Sequence, residues 1–138
     1  MTEDKKVLLQ RAAEQKDIVC LKLCISLYEI CNDNLFDNLT PLEFCNFLNL
    51  KHPKQVKAAP KQKFRVCYMV DCVKRAISPK KNGELWAEAF LEQCDIKQSY
   101  YNSHYRDVCG EFATEDNQDF RKDMDSAIER GTVKQSTT

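Results

Sequence analysis

The chain has 138 residues, of which 43% are apolar and 30% charged, and its 21 basic side chains equal its 21 acidic ones. This composition is typical of one globular domain and excludes a disordered chain, while no apolar run reaches the roughly 20 residues that a membrane helix needs. The charged N-terminal hexapeptide does not resemble a secretory signal. We therefore expect a cytoplasmic protein with no membrane partner.

The first part of the chain predicts three helices. Thr2 to Ala13 has a candidate N-cap and acidic residues in its first turn. Residues 18–32 are apolar around most of a helical circumference, which is typical of a central buried helix, and Asp17 is its candidate cap. Residues 40–43, Thr-Pro-Leu-Glu, form a capping box with proline at the first helical position. A helix should start there and run through Leu48.

The second part alternates polar connections with helical patterns. Residues 51–60 are predicted to be a polar connection, and residues 78–83 a turn. The predicted helices are, in order, 60–77, 84–94, 98–109, and a last one that is capped near Thr114 or Asp116 and ends at Gly131.

We predict a compact, single-domain, all-α bundle of five to seven helices over residues 1–131, followed by a polar tail at 132–138. The chain has only three glycines, and each falls where a helical pattern starts or stops. An all-β domain needs more residues that tolerate tight turns. Phosphate-binding loops need clustered glycines, which excludes nucleotide enzymes of those types.

Eight cysteines raise the question of metal binding or packing. No pair has Cys-x-x-Cys spacing, which structural zinc sites use. Cys20, Cys24, Leu27 and Cys31 fall on one helical stripe, and a free cysteine behaves as a small buried hydrophobe. The pattern favours packing, with no metal and no cofactor.

Charge is distributed unevenly along the chain. Residues 1–50 carry five basic and eight acidic side chains, residues 51–81 ten and one, and residues 82–138 six and twelve. The middle block, here called the basic segment, is a candidate contact for phosphates. Its predicted nucleic-acid-binding residues are Lys51, His52, Lys54, Gln55, Lys57, Lys61, Lys63, Arg65, Lys74, Arg75, Lys80 and Lys81.

Residues 40–58 resemble a helix-turn-helix. The capped helix, the small Cys45 and the turn-tolerant Asn49 fit its first helix and turn, and His52 to Lys57 would then be the recognition element. A plain helical hairpin would give the same apolar spacing.

Residues 64–131 carry an order of features that resembles the C-terminal helical domain of RteC-type regulators, from conjugative elements of Bacteroides-like bacteria. The features are Tyr68-Met69-Val70, the Asn82-Gly83 turn, the helix 84–93, the run 95–101, Tyr105-Arg106-Asp107, and a Phe120 helix ending in Ile128-Glu129-Arg130. The resemblance implies a helical fold, DNA binding and a transcriptional or mobile-element role. Such regulators tend to be basic before their last helix, whereas residues 111–119 are acidic here.

The run 100–107 is the densest group of functional side chains. On a helix, Asn102, Ser103 and Arg106 would share an exposed face opposite Tyr101 and Tyr105, which suits either stacking or packing. His104 and Cys109, five residues apart, do not converge as a nucleophile–base pair.

No constellation predicts an enzyme. We expect a nucleic-acid-associated regulator that binds DNA through the basic segment. The alternative is a helical protein-interaction module whose basic segment meets an acidic protein or a second copy of the chain.

Overall fold

The computed structural model describes residues 18–32, 34–51, 55–110 and 113–132. These residues form α-helices, one short 3₁₀ helix and no β-strand beyond isolated bridges. The predicted all-α bundle is confirmed. In chain order the elements are α1 (Leu21–Cys31), α2 (Pro41–Leu48), α3 (Lys63–Ala76), α4 (Lys80–Gln93), α5 (Gln98–His104), the 3₁₀ helix (Asp107–Cys109) and α6 (Glu115–Thr132).

Three predictions concern residues that the structure does not describe. The helix at 2–13, the candidate cap Asp17 and positions 133–138 of the tail lie outside the described residues. No described helix is long and apolar enough to cross a bilayer.

Two predicted helix starts are confirmed by their caps. Thr40 Oγ1 accepts from the backbone N–H of Glu43 at 3.1 Å, and Glu43 Oε1 accepts from the backbone N–H of Thr40 at 2.9 Å. The hydroxyl of Thr114 accepts from the backbone N–H of Asn117 at 3.2 Å. Both threonines satisfy N–H groups that a helix start leaves without intrahelical partners.

Two glycines have a different role from the predicted one. Gly83 lies inside α4, which begins at Lys80, so the predicted turn at 78–83 is shorter than expected. A Cβ at Gly83 would fall on the backbone carbonyl oxygen of Lys74. Gly131 lies inside α6 instead of following it, and a Cβ there would come within 2.6 Å of Leu23 Cδ1. Both glycines permit close approach of two helices.

Helices α1 and α6 pack against each other. Cys24, Leu27 and Cys31 are buried, as the predicted stripe requires. The prediction that Cys20 belongs to this stripe is wrong, because Cys20 precedes the helix and is exposed. The hydroxyl of Ser26 donates to the backbone carbonyl of Ala127 at 2.6 Å and holds the two helices together.

The core is one contiguous cluster of buried apolar side chains, drawn from every α-helix described. Aromatic rings form its centre: Trp86 and Phe90 stack with centroids 5.0 Å apart, and Phe90 lies 4.8 Å from Phe47. The indole N–H of Trp86 donates to the backbone carbonyl of Leu48 at 2.7 Å. This bond joins α4 to the end of α2.

The second helix of the predicted helix-turn-helix is wrong in its described part, Gln55 to Lys57, which is not helical. After α2 the chain turns at Asn49 and Leu50, and residues 55–62 are not helical. Val56 is buried instead, and the backbone N–H of Ala59 donates to the carbonyl of Leu35 at 2.7 Å. The connection is thus held as an irregular strap against the loop between α1 and α2.

Candidate nucleic-acid interface

The strap at residues 55–62 presents basic side chains to solvent. Its buried Val56 and the backbone bond of Ala59 fix its course, and the left-handed φ of 65° at Lys61 turns it into α3. Because the inward positions are taken by apolar groups, Lys57 and Lys61 are exposed, as are Gln55 and, before the strap, Lys51. His52 and Lys54 lie outside the described residues.

Two arginines that were predicted to bind nucleic acid instead make contacts within the fold. Arg65 donates from Nε and Nη2 to Asn117 Oδ1, at 3.0 and 2.8 Å, and its guanidinium lies 5.1 Å from the centroid of the Phe120 ring. Arg75 pairs with Asp71 one turn earlier in α3, with Nη2 3.0 Å from Oδ2. These bonds leave both guanidinium groups less available to a phosphate than the sequence predicts.

Two lysines of α3 lie over aromatic rings of α5. Lys63 Nζ is 5.2 Å from the centroid of Tyr100, and Lys74 Nζ is 5.9 Å from the centroid of Tyr101. The two lysines share a helix face because eleven residues are close to three turns. The structure thus brings the basic segment and the aromatic run together. Sequence reasoning treated them separately, although the lysine spacing could have indicated a shared face.

The predicted faces of the aromatic run are confirmed. Tyr101 is buried and stacks on the half-buried Tyr105 with centroids 5.1 Å apart, while Asn102, Ser103 and Arg106 are exposed. This arrangement leaves a polar outer surface beside Lys63 and Lys74.

Helix α4 begins with two lysines and has no acidic residue in its first turn. The N-terminal end of a helix carries partial positive charge, so Lys80 and Lys81 add to a local field that favours anions. Lys80 and Lys81 are both exposed.

Five lysines of the basic segment form no ion pair with a described carboxylate. They are the exposed Lys57, Lys61, Lys63 and Lys80 and the half-buried Lys74. The acidic side chains of α6 line a cavity of about 570 Å³, where Asp116, Asp119 and Asp123 lie with Glu29 of α1. Gln62 and Arg65 of the basic segment line the same cavity. Within the described residues, these lysines therefore form no ion pair with the acidic last third of the chain.

Sequence reasoning missed a polar cluster between α3 and α6. The hydroxyl of Tyr68 donates to Asp125 Oδ1 at 2.5 Å, and the thiol of Cys72 lies 3.9 Å from the same oxygen. Burial raises the pKa of Cys72 to about 12, so the thiol keeps its proton at neutral pH and is a poor nucleophile. Positions 68, 72 and 75 fall on one face of a helix, and this spacing is the signal by which the sequence could have indicated the cluster.

No group of three or more His, Cys, Asp or Glu side chains in the described residues could hold a metal ion. All eight cysteines are free, and six of them are buried. Comparisons with protein-family models, curated proteins and solved structures found no match to the chain.

Proposed function

We propose that this protein is a non-enzymatic, nucleic-acid-associated regulator that binds DNA through the basic segment. The observation that carries the proposal is the exposure of Lys57, Lys61 and Lys80 with no described carboxylate within ion-pair distance. Lysines that are not paired within the protein can neutralise phosphates and release their counterions, which supplies most of the affinity of nonspecific binding.

The arrangement of cations supports contact with the phosphate backbone more than with base edges. The described part of the strap has no helix that could enter the major groove. Phosphate contacts position a protein on DNA but carry no direct sequence information. We therefore expect binding by the described basic segment to depend strongly on salt and weakly on sequence.

The resemblance to RteC-type regulators supports a role in a mobile element. It covers residues 64–131, which form α3 from Phe64 onward through most of α6. Helix α4 begins at Lys80, so the Asn82-Gly83 pair, one of the features that carry the resemblance, lies inside a helix instead of a turn.

A second candidate is a helical protein-interaction module. The acidic cavity between α1 and α6 supports it, because four carboxylates and one guanidinium, that of Arg65, line an open space of about 570 Å³, and this excess of negative charge favours a basic partner. That partner would be an unrelated protein or the basic segment of a second copy. Sedimentation of the pure chain at low and high salt separates self-association from DNA binding.

The test of DNA binding is fluorescence anisotropy with an arbitrary duplex over a series of salt concentrations. We expect Lys57→Glu with Lys61→Glu to weaken binding by at least about tenfold. The plot of log affinity against log salt should become shallower by about two, since each phosphate contact contributes close to one to that slope.

The matched control is Lys97→Glu with Lys122→Glu, which makes the same change in net charge at two exposed positions outside the basic segment. We expect this control to retain most of the affinity. Equal loss in both double variants would show that only net charge matters, and absence of binding at low salt would contradict the proposal.

A further inference from the structure

An open cavity of about 320 Å³ lies between the C-terminal parts of α3 and α6, apart from the strap. Its walls combine one basic, one acidic, one thiol, one hydroxyl and two aliphatic side chains. They are Cys72, Arg75, Ala76, Asp125, Ile128 and Thr132.

Arg75 is oriented by a buried carboxylate. Asp71, only 8% exposed, accepts from Arg75 Nε at 3.1 Å and lies 3.0 Å from Nη2. Nη2 also donates to Cys72 Sγ at 3.6 Å. These contacts use Nε and Nη2, while Nη1 has no hydrogen-bond partner among the described residues. The guanidinium is thus fixed on one edge and available on the other.

Asp125 is oriented in the same manner from the opposite wall. Its Oδ1 accepts from the hydroxyl of Tyr68, a residue 4% exposed, and from the thiol of Cys72. Its Oδ2 has no partner among the described residues. A carboxylate held by one oxygen keeps acceptor capacity on the other.

The two charges flank one sulfur atom but do not pair with each other. Arg75 Nη2 and Asp125 Oδ1 lie 3.6 and 3.9 Å from Cys72 Sγ, and no ion pair joins the two residues. The thiol between them is uncharged, so it neutralises neither Arg75 nor Asp125. The gap is too wide for a direct salt bridge and short enough for one small molecule to span.

The balance of charge indicates the ligand. A simple anion would bind Arg75 but face the carboxylates of Asp71 and Asp125, and a simple cation would bind Asp125 but leave Arg75 Nη1 without an acceptor. A molecule that carries both charges gives each of the two free groups a partner of opposite charge. The aliphatic walls of Ala76 and Ile128 add a surface that favours an apolar side chain.

We propose that this cavity binds a free α-amino acid with an apolar side chain. Its carboxylate accepts from Arg75 Nη1, its ammonium donates to Asp125 Oδ2, and its side chain lies against Ile128. Both contacting side chains are already held by buried partners, so little ordering accompanies binding. This site does not depend on DNA binding by the strap.

The test is isothermal titration of the full chain with leucine at millimolar concentrations. N-acetyl-leucine, which lacks the ammonium, and leucinamide, which lacks the carboxylate, are the matched ligands. We expect leucine to bind and each derivative to bind at least about tenfold more weakly, since each loses one charge-assisted contact. No binding of leucine, or equal binding of all three ligands, would overturn the proposal.

Substitutions of Arg75 and Asp125 test whether these two residues make the binding contacts. Asp125→Asn retains an oxygen that can accept from Tyr68 but removes the charge, and Arg75→Lys keeps the charge opposite Asp71. We expect each to weaken leucine binding by at least about tenfold while circular dichroism shows the native helix content. Asp119→Asn, in the acidic cavity, is the control and should bind leucine as the natural chain does. Unchanged binding in both site variants would contradict the assignment.

Discussion

The buried amide of Asn49 ties the segment before α1 to the end of α2. Only 1% of Asn49 is exposed, and its Oδ1 accepts from the backbone N–H of Val19 at 2.7 Å. Its Nδ2 donates to the backbone carbonyls of Val19 and Cys45, at 3.1 and 3.0 Å. One side chain thus satisfies three buried backbone groups, and a buried backbone group without a partner is costly.

We predict that Asn49→Leu destabilises the protein by about 2 kcal/mol or more. Leucine has nearly the same size but would leave the backbone N–H of Val19 without its acceptor. Urea unfolding followed by circular dichroism measures this loss. Asn102→Leu, at an exposed position of α5, is the control and should change the free energy of unfolding by less than about 0.5 kcal/mol. An equal effect of the two substitutions would contradict the role given to Asn49.

Residue type alone indicated a turn at Asn49 but not its bonds. The backbone of Asn49 is right-handed, with φ −92° and ψ 14°, and the next residue, Leu50, takes the left-handed φ of 64°. The asparagine is therefore needed for its side chain rather than for backbone freedom. Two of its three backbone bonds are with Val19, 30 residues away in sequence, which no local pattern encodes.

At the scale of elements, Gly131 sets how closely α1 and α6 approach. A Cβ at this position would lie 2.6 Å from Leu23 Cδ1 and 2.7 Å from Leu23 Cα. The second contact is with the backbone of α1, so a side-chain rotation does not relieve it. The two helices would have to separate, which would also stretch the bond from Ser26 to Ala127.

We predict that Gly131→Ala lowers the free energy of unfolding by about 1–3 kcal/mol, the usual cost of overpacking. In an exposed helix interior the same change is stabilising by roughly 1 kcal/mol, because alanine is the better helix former. The sign of the effect therefore distinguishes a packing glycine from one at an exposed position inside a helix. Thermal unfolding should show a lower midpoint for Gly131→Ala. Ser126→Ala, at an exposed position of α6, should leave the midpoint nearly unchanged, and a stabilised Gly131→Ala would contradict the packing role.

Local sequence signals predicted two helix starts correctly but placed two glycines wrongly. The capping box at Thr40 and the cap at Thr114 act within one helical turn, so the sequence alone located the first helix start and narrowed the second to Thr114 or Asp116. Gly83 and Gly131 were expected at helix ends, where glycine is frequent. Both lie within helices because another helix passes close to them, and proximity between helices is not a local property.

At the scale of the whole molecule, the eight cysteine thiols differ in how far they are buried. Cys20 is exposed and Cys109 partly so, while the remaining six are buried. Burial raises the pKa of Cys67 and of Cys72 to about 12, and also raises the pKa of Cys31 and Cys94. A thiol reacts as its thiolate, so a raised pKa and a closed environment both slow the reaction.

We predict that a disulfide reagent at neutral pH modifies Cys20 rapidly, Cys109 more slowly, and the other six thiols only after unfolding. Absorbance of the released chromophore gives the rate and the number of thiols. Cys20→Ser should remove the fast phase and leave the slow phases unchanged. Raising the pH toward 9 should still leave Cys31, Cys67, Cys72 and Cys94 unreactive in the native protein, because burial raises the pKa of these thiols. Rapid modification of all eight thiols in the native protein would contradict the burial found here.

The separation of charge is also a property of the whole molecule. The sequence determined that the middle block is strongly basic and the flanking blocks are acidic. Only the structure decided which basic groups have partners in the fold. Arg65 is hydrogen-bonded to Asn117 and Arg75 is paired with Asp71, whereas the lysines of the strap are exposed. The list of twelve predicted residues therefore contains groups with different roles.

The sequence by itself determined the all-α class, the two capped helix starts, the buried character of most cysteines and the uneven distribution of charge. These properties depend on composition, on periodicity and on contacts within one helical turn. The tertiary structure decided that the strap is not a recognition helix, that two glycines pack helices together, and that Arg75 and Asp125 flank one cavity. Each of these depends on groups far apart in sequence, because burial and pairing are fixed only when the helices meet.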